Sequence, residues 1–480
     1  MLVQGATPWN PRRLLGRLTQ CGFDPRRGSS WQVPTPARGY SAAGTDEGER
    51  PRTVTTAVSA PSGFGFASHL FCRECGATSA LGASHACAEC FGPLEVGYQL
   101  PPITRTGIEA GPASIWRYAS LLPVPQDVAA RPNTEPGWTR LAHTDQLARE
   151  LGLRTLWLKD ERGNPTHSFK DRVVAVALAA AVEMGYKVLA CPSTGNLANA
   201  VAAAAARAGI RSVVLIPADL EPQKIAATAV YGGAMVPVEG TYDDVNRLAS
   251  ELADDREDWA FVNVNVRPYY AEGSKTIGYE IAEQLGWRLP QQIVVPVASG
   301  AQLVKIDKAF RELIALGLVA DTGYRVFGAQ ATGCAPVAAA FRAGHDVVQP
   351  VKPDTIAKSL AIGNPADGPY VLDVVRRTGG AVADVSDAEV VSAIRLLAAT
   401  EGIFGETAAG VTLGVLRRLL ADGQLDPRAE TVIINSGDGL KTLDAVGLPG
   451  SGPDGAVAGI RPTLAAFEAW EASHAAGTAQ

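Results

Sequence analysis

Between residues 154 and 435 the chain repeats one pattern: a short run of β-branched and apolar residues, a turn, then a longer stretch of helical periodicity. The runs fall at 154–158, 187–191, 211–216, 234–238, 260–264, 292–297, 324–329 and 431–435. Strands separated by helices cannot pair as hairpins, so this alternation leads to mainly parallel sheets covered on both faces by helices. The expected fold class is therefore α/β. Alanine-rich helices such as 200–208 suit it, because small side chains let a helix approach a sheet closely. With 480 residues, 46% hydrophobic and 19% charged, there is ample apolar mass for a large core, and a prior of about 150 residues per domain suggests about three units. Net charge is -6, from 43 basic and 49 acidic residues, which argues against a general nucleic-acid surface. The longest apolar stretch of the helical region, 173–182, is far short of the ~20 residues that cross a bilayer. Neither nucleic acid nor membrane is an expected partner.

Within this frame, chemistry concentrates where strands hand over to helices. Asn164-Pro165-Thr166-His167-Ser168-Phe169-Lys170-Asp171-Arg172 opens on turn residues, and Ser168 reads as the N-cap of a helix over 170–183. That would set Lys170 at a helix start. Asn196 follows 26 residues later in Ser193-Thr194-Gly195-Asn196, between a buried strand and a helix over 197–208. Such a loop offers backbone amides to an anion such as a substrate carboxylate, and the Asn196 amide suits a phenolate oxygen. A lysine at a helix start is usually a solvated surface residue, and a Ser-Thr-Gly-Asn turn is usually only a turn. Their joint order and separation point instead to pyridoxal phosphate (PLP), whose chemistry needs one lysine amine to form a Schiff base and later to carry protons.

From about residue 138 to 447, roughly two thirds of the chain, the sequence resembles the fold-type II PLP enzymes and, within them, threonine synthase. The family's lysine motif usually reads Asn-Pro-Thr-Gly-Ser-Phe-Lys-Asp-Arg, so His167 alone departs, in place of glycine. Its substrate loop reads Ser-Ser-Gly-Asn-Thr, where this chain has Leu197 in place of the final threonine. Ala298-Ser299-Gly300-Ala301-Gln302 occupies the place of the glycine-rich loop that holds the cofactor phosphate, with Gly300 as the remaining glycine. Ser436-Gly437-Asp438-Gly439-Leu440-Lys441 is similar to Thr-Gly-His-Gly-Leu-Lys, and Ser436 matches the hydroxyl that faces the pyridine nitrogen. A neutral partner there favours elimination and replacement at Cβ or Cγ over transamination. The segment 263–276 resembles one that supplies an arginine to the substrate phosphate. Tyr270 stands at the arginine's usual place and Arg267 three residues earlier, so Arg267 is the candidate, with Lys275 of the same motif beside it. Glu406, in a stretch similar to Glu-Gly-x-Phe-x-Glu-Pro-Ala, is expected to cap or pair near the site.

The resemblance implies two α/β lobes with PLP in the cleft. The smaller lobe would hold Ser193, Thr194, Gly195 and Asn196, and the larger Lys170, the phosphate loop and Ser436. It also implies a homodimer acting on a phosphorylated amino acid, converting O-phospho-L-homoserine and water to L-threonine and phosphate. The alternatives are cysteate synthase, which takes phosphoserine and sulfite, and a threonine/serine ammonia-lyase.

Upstream, Cys72-Arg73-Glu74-Cys75 and Cys87-Ala88-Glu89-Cys90 form two CxxC turns eleven residues apart. Four thiolates so spaced make a tetrahedral zinc site of the ribbon kind, closed to substrate and hence structural. The other cysteines, Cys21, Cys191 and Cys334, are scattered and odd in number, which favours zinc in a reducing, cytoplasmic compartment over disulfides. The expected domains are a disordered extension over 1–66, a zinc-ribbon module over 67–100, the PLP-dependent catalytic domain over 101–447, and a linker and tail over 448–480 with one amphipathic helix at 462–472. Arginines in the first 38 residues suggest a transit peptide, but Asp46, Glu47 and Glu49 weaken that reading.

Overall fold

The computed structural model describes residues 63–447 and 459–474, apart from 85, 194, 221 and 241. The expectations for residues 1–62, the linker over 449–458 and the side chain of Thr194 lie outside the described residues. The described strands are β1 (Ala67–Cys72), β2 (Thr78–Ser79), β3 (Leu94–Tyr98), β4 (Arg140–His143), β5 (Leu156–Asp160), β6 (Val188–Pro192), β7 (Arg211–Pro217), β8 (Ala234–Val238), β9 (Trp259–Phe261), β10 (Gln292–Pro296), β11 (Arg325–Ala331), β12 (Val382–Val385) and β13 (Thr431–Asn435). They form a six-stranded sheet of order β12-β11-β10-β13-β5-β4, a four-stranded sheet of order β8-β7-β6-β9, and a small sheet of order β2-β1-β3. Every pairing in the four-stranded sheet is parallel. In the six-stranded sheet only the β4–β5 edge is antiparallel. The small sheet is antiparallel.

Period-two alternation explains how one strand serves two cores. In the large sheet Ile293, Val295, Val432 and Ile434 enter one cluster, whereas Val294, Phe327 and Ile433 enter the other, on the opposite face. The smaller sheet divides likewise: Leu189, Val214 and Ile216 face one cluster, Val188, Val213 and Leu215 the other. Central strands buried on both faces read as unbroken apolar runs, and β6, β10 and β13 are buried at every position. The edges β4 and β12 went unread in the sequence because they are four residues long and partly exposed.

Helix Lys170–Glu183 follows β5 of the large sheet, yet Val173, Val174, Ala177 and Leu178 pack in the cluster built on Leu189 and Cys191 of the smaller sheet. Lys170 therefore stands where the chain crosses between lobes, rather than within the larger one. Leu70 of β1 and Val96 of β3 join that same cluster, so the cysteine-bearing sheet shares a core with the smaller lobe.

Candidate active site

The loops predicted to carry chemistry all leave the C-terminal ends of parallel strands: 161–169 after β5, 193–195 after β6, 297–300 after β10 and Ser436 after β13. Open α/β sheets bind ligands at such ends, where helix N-termini converge.

Lys170 is half-buried, and its Nζ donates to Tyr270 Oη at 3.1 Å. Among the described residues no carboxylate forms an ion pair with it. The expected Ser168 cap is absent: Phe169 is the cap residue, its backbone already helical (φ -61, ψ -13), and no side-chain cap bond forms. Ser168 instead bridges to Gly437, and its buried Oγ has no partner. Asp171 steadies the turn, accepting from Thr166 N and Thr166 Oγ1 at 2.8 Å each. Burial pushes its carboxyl up to about 6, against those two donors. His167 adopts φ +61, a left-handed backbone that glycine takes without strain. Its ring is exposed, with Nδ1 3.2 Å from Arg162 O.

Asn196 opens helix Asn196–Ala208, with Gly195 at the cap. Ser193 is buried and 3.5 Å from Gly195 N. Glu406 draws this loop to Ser436, its carboxylate accepting from Asn196 Nδ2 at 2.8 Å and from Ser436 Oγ at 2.6 Å. The sequence expectation of a capping or pairing role for Glu406 resolves into pairing, since it makes no cap bond to helix Thr407–Ala421. Lys441 closes the group, donating to Asn196 Oδ1 at 2.9 Å and Asn199 Oδ1 at 3.3 Å. Burial lowers its ammonium below the ordinary lysine range. Asp438 caps the turn Gly439–Thr442 through Leu440 N, 2.9 Å away. Tyr270 and Lys441 were missed as site residues. Lys441 had a signal, as the last residue of the Ser436 motif; Tyr270 read only as a displaced arginine.

At the third loop, Gly300 takes φ +98, and a Cβ there would lie 2.7 Å from Val371 Cγ2. Glycine is required on both counts. Helix Ala301–Ala315 begins here with no side-chain cap bond, and the buried Nε2 of Gln302 has no partner. Ala301 N–H donates to Ser299 Oγ at 3.4 Å, and the further amides of this helix start, beside an orphaned donor, are suited to the PLP phosphate. Beside Lys170, Asn196 and Ser436, this donor set fits the cofactor.

Arg267 lies one turn before Tyr270 on helix Arg267–Glu272, and its guanidinium donates to Asp367 Oδ2 at 2.6 Å. Asp367 in turn donates its N–H to Ser299 O at 2.8 Å, which brings Arg267 beside the phosphate loop. Lys275 is placed otherwise. It is fully buried, and its ammonium is engaged by Leu121 O at 2.8 Å, Glu272 Oε2 at 2.8 Å and Glu312 Oε2 at 3.1 Å. Three internal acceptors use its three hydrogens, leaving none for a substrate phosphate.

Outside the cleft, the four sulfurs of Cys72, Cys75, Cys87 and Cys90 all lie within 4.8 Å of one another. Cys72 and Cys90 are 3.4 Å apart and Cys75 and Cys87 3.7 Å, near the ~3.8 Å edge of a tetrahedron with ~2.3 Å zinc–sulfur bonds. The amides of Glu74 and Glu89 each donate to a cysteine sulfur at 3.4 Å.

A model of the pyridoxal-phosphate dependent enzymes matches residues 133–437, which include all four loops. The threonine synthase of Methanocaldococcus jannaschii is 36% identical over 380 residues, covering 78% of this chain and 93% of that protein. The threonine synthase of Mycobacterium tuberculosis is 34% identical over 334 residues, covering 69% and 89%. Among solved structures, an L-serine ammonia-lyase from Rhizomucor miehei shares the fold at a TM-score of 0.55 and 23% identity, over 64% of this chain and 96% of that one. With a family model matching well over half of its length and a relative 36% identical across 78% of it, the chain belongs to the pyridoxal-phosphate dependent enzyme family, alongside the threonine synthases it resembles.

Proposed function

We propose that this protein converts O-phospho-L-homoserine and water to L-threonine and phosphate, as the relatives named threonine synthase suggest. The observation that carries the reading is one short helix holding Tyr270 against Lys170 Nζ at 3.1 Å with Arg267 one turn earlier. It sets a proton carrier beside a planar cation suited to a phosphate dianion. Bound PLP supplies the electron withdrawal that makes an amino acid's Cα proton removable. Lys170 takes that proton and returns protons later, oriented by the Tyr270 hydroxyl. Ser193, Thr194 and the amides at the start of helix Asn196–Ala208 hold the substrate carboxylate. The loop 298–302, from Ala298 through Ala301 to Gln302, would hold the cofactor phosphate at the start of helix Ala301–Ala315. Ser436 would partner the pyridine nitrogen and Asn196 the phenolate, and Glu406 ties these two side chains together. Arg267 grips the substrate phosphate, which leaves from Cγ once Lys170 has also taken a Cβ proton; a proton then returns to Cγ to make the methyl group, and water adds its hydroxyl at Cβ as a proton returns to Cα.

The test is a product assay of purified protein with PLP, offered O-phosphohomoserine, O-phosphoserine with sulfite, and threonine. Threonine and phosphate in equal amounts from the first are expected. Phosphate released only from phosphoserine, or 2-oxobutyrate from threonine, would reject the assignment while leaving Lys170 as the proton carrier.

The four-cysteine cluster is read as a structural zinc site, supported by its sulfur spacing and amide-to-sulfur bonds. Protein purified under reducing conditions is expected to hold one zinc per chain, and stripping it is expected to lower Tm by about 5 °C or more, as the two turns between β1 and β3 lose the cross-link that holds them together. Zinc-free protein of unchanged Tm would remove the assignment. A homodimer in the cytoplasm completes the reading, the first from the family resemblance and the second from the unpaired Cys191 and Cys334.

A further inference from the structure

Both middle residues of the first cysteine turn grip the same helix, Gly368–Arg377, whose cap residue is Asp367. Glu74 accepts a hydrogen bond from Tyr370 Oη. The guanidinium of Arg73 lies 3.5 Å above the Tyr370 ring centre and 3.8 Å from Asp367 Oδ1. The other oxygen of Asp367, Oδ2, takes Arg267 at 2.6 Å. One nearly buried carboxylate is thus shared by two arginines, one from the cysteine turn and one from the cleft. Arg73 also lies 3.3 Å from Glu95, itself paired with Lys305 and Lys308 of helix Ala301–Ala315, which starts at the phosphate loop. The cysteine-bearing sheet therefore meets the phosphate end of the cleft through charge as well as packing.

We infer that Arg73, acting through Asp367, sets how strongly Arg267 binds the substrate phosphate, so that the four-cysteine cluster positions the phosphate site. This rests on Arg267 being the substrate-phosphate ligand. A carboxylate shared with Arg73 neutralises Arg267 only in part, leaving positive charge for the incoming dianion. Without Arg73 the carboxylate answers Arg267 alone, and phosphate must compete with it in a partly dry setting. The aim of Arg73 depends in turn on the cysteine turn, held by the Glu74 amide on Cys72 Sγ and by Gly76 N–H on Cys72 O at 3.1 Å.

The test is calorimetric binding of inorganic phosphate to the PLP-loaded protein, with KM for O-phosphohomoserine alongside. Arg73→Met, or Arg73→Gln if the first folds poorly, is expected to weaken phosphate binding and raise KM about tenfold, with kcat within about threefold. Arg73→Lys is expected to restore most of the loss. In an Asp367→Asn background the Arg73 substitution should change affinity less than about twofold, because the path is gone. Chelated protein should lose phosphate affinity as Arg73→Met does. A merely structural Arg73 would lower Tm and the active fraction but leave the dissociation constant per active site unmoved, and that result overturns the inference. So does an equal loss in both backgrounds, and so does full phosphate affinity after chelation. Arg267→Met separates the two levels: unchanged phosphate affinity there sinks the Arg267 assignment and this inference with it, whereas a weakened Arg267→Met beside an unaffected Arg73→Met sinks only the inference.

Discussion

Alanine at position 170 is expected to lower threonine formation at least ten-thousandfold while Tm moves by no more than about 2 °C. The split follows from the environment of the side chain. Lys170 is half-buried at a helix start, its Nζ touches the Tyr270 hydroxyl, and none of the described carboxylates forms an ion pair with it. Its removal thus leaves no orphaned partner charge and opens no closed cavity, but it takes away the amine proposed to bond the cofactor and carry protons. Three readings on one sample check this: product release, the absorption band of bound PLP, and thermal unfolding by circular dichroism. Activity within tenfold of wild type would move the proton carrier elsewhere. The geometry then offers Lys441, whose ammonium lies 2.9 Å from Asn196 Oδ1 and is already below the ordinary lysine range through burial.

The second large effect is on stability. Arg172, two residues after Lys170, and Lys159 of β5 face Glu161 and Glu280 in a cluster with no solvent exposure. Two cations balance two carboxylates, and Glu280 also accepts from Trp138 N at 2.7 Å and Thr139 N at 3.2 Å. Glutamine at 280 keeps the shape but leaves one buried positive charge uncompensated, a loss of about 3–5 kcal/mol at neutral pH. Burial alone would raise the Glu280 pKa, but Arg172 and Lys159 outweigh it and hold the group at about 2. A carboxylate depressed in the folded state adds stability above its unfolded value, near 4.5, and that contribution fades as pH falls through about 2. Urea unfolding should therefore show the gap between wild type and Glu280→Gln widest above pH 4.5 and narrowing toward pH 2. A pH-independent gap, or one below 1 kcal/mol, would deny the cluster this role. Because Glu161 also holds Asn164 of the Lys170 loop, through Asn164 Nδ2 at 2.8 Å, the cluster fixes the lysine's approach as well as the fold.

How much of this could be read in the chain follows the range of the forces involved. Strand-turn-helix alternation is local, and it put the central strands, Lys170, Asn196, Gly300 and Ser436 in their places within a residue or two. The resemblance then supplied the shared cleft, which no spacing states. Ser168 misled because a serine before a helix usually caps it, whereas here the bridge to Gly437 already orders that backbone. Lys275 misled because its motif says nothing of depth: only packing shows it enclosed by Glu272, Glu312 and Leu121.

What the sequence determined by itself is the α/β class, the place of Lys170 at a helix start and the loops at strand ends, since each depends on neighbours a few residues away. The tertiary structure alone decided that Glu406 joins Asn196 to Ser436, that helix Lys170–Glu183 packs with the smaller lobe, and that Arg73 and Arg267 share Asp367 across 294 residues of chain, from 73 to 367. Charges and hydrogen-bond donors find partners by proximity in space, and the folding of two sheets against each other sets that proximity.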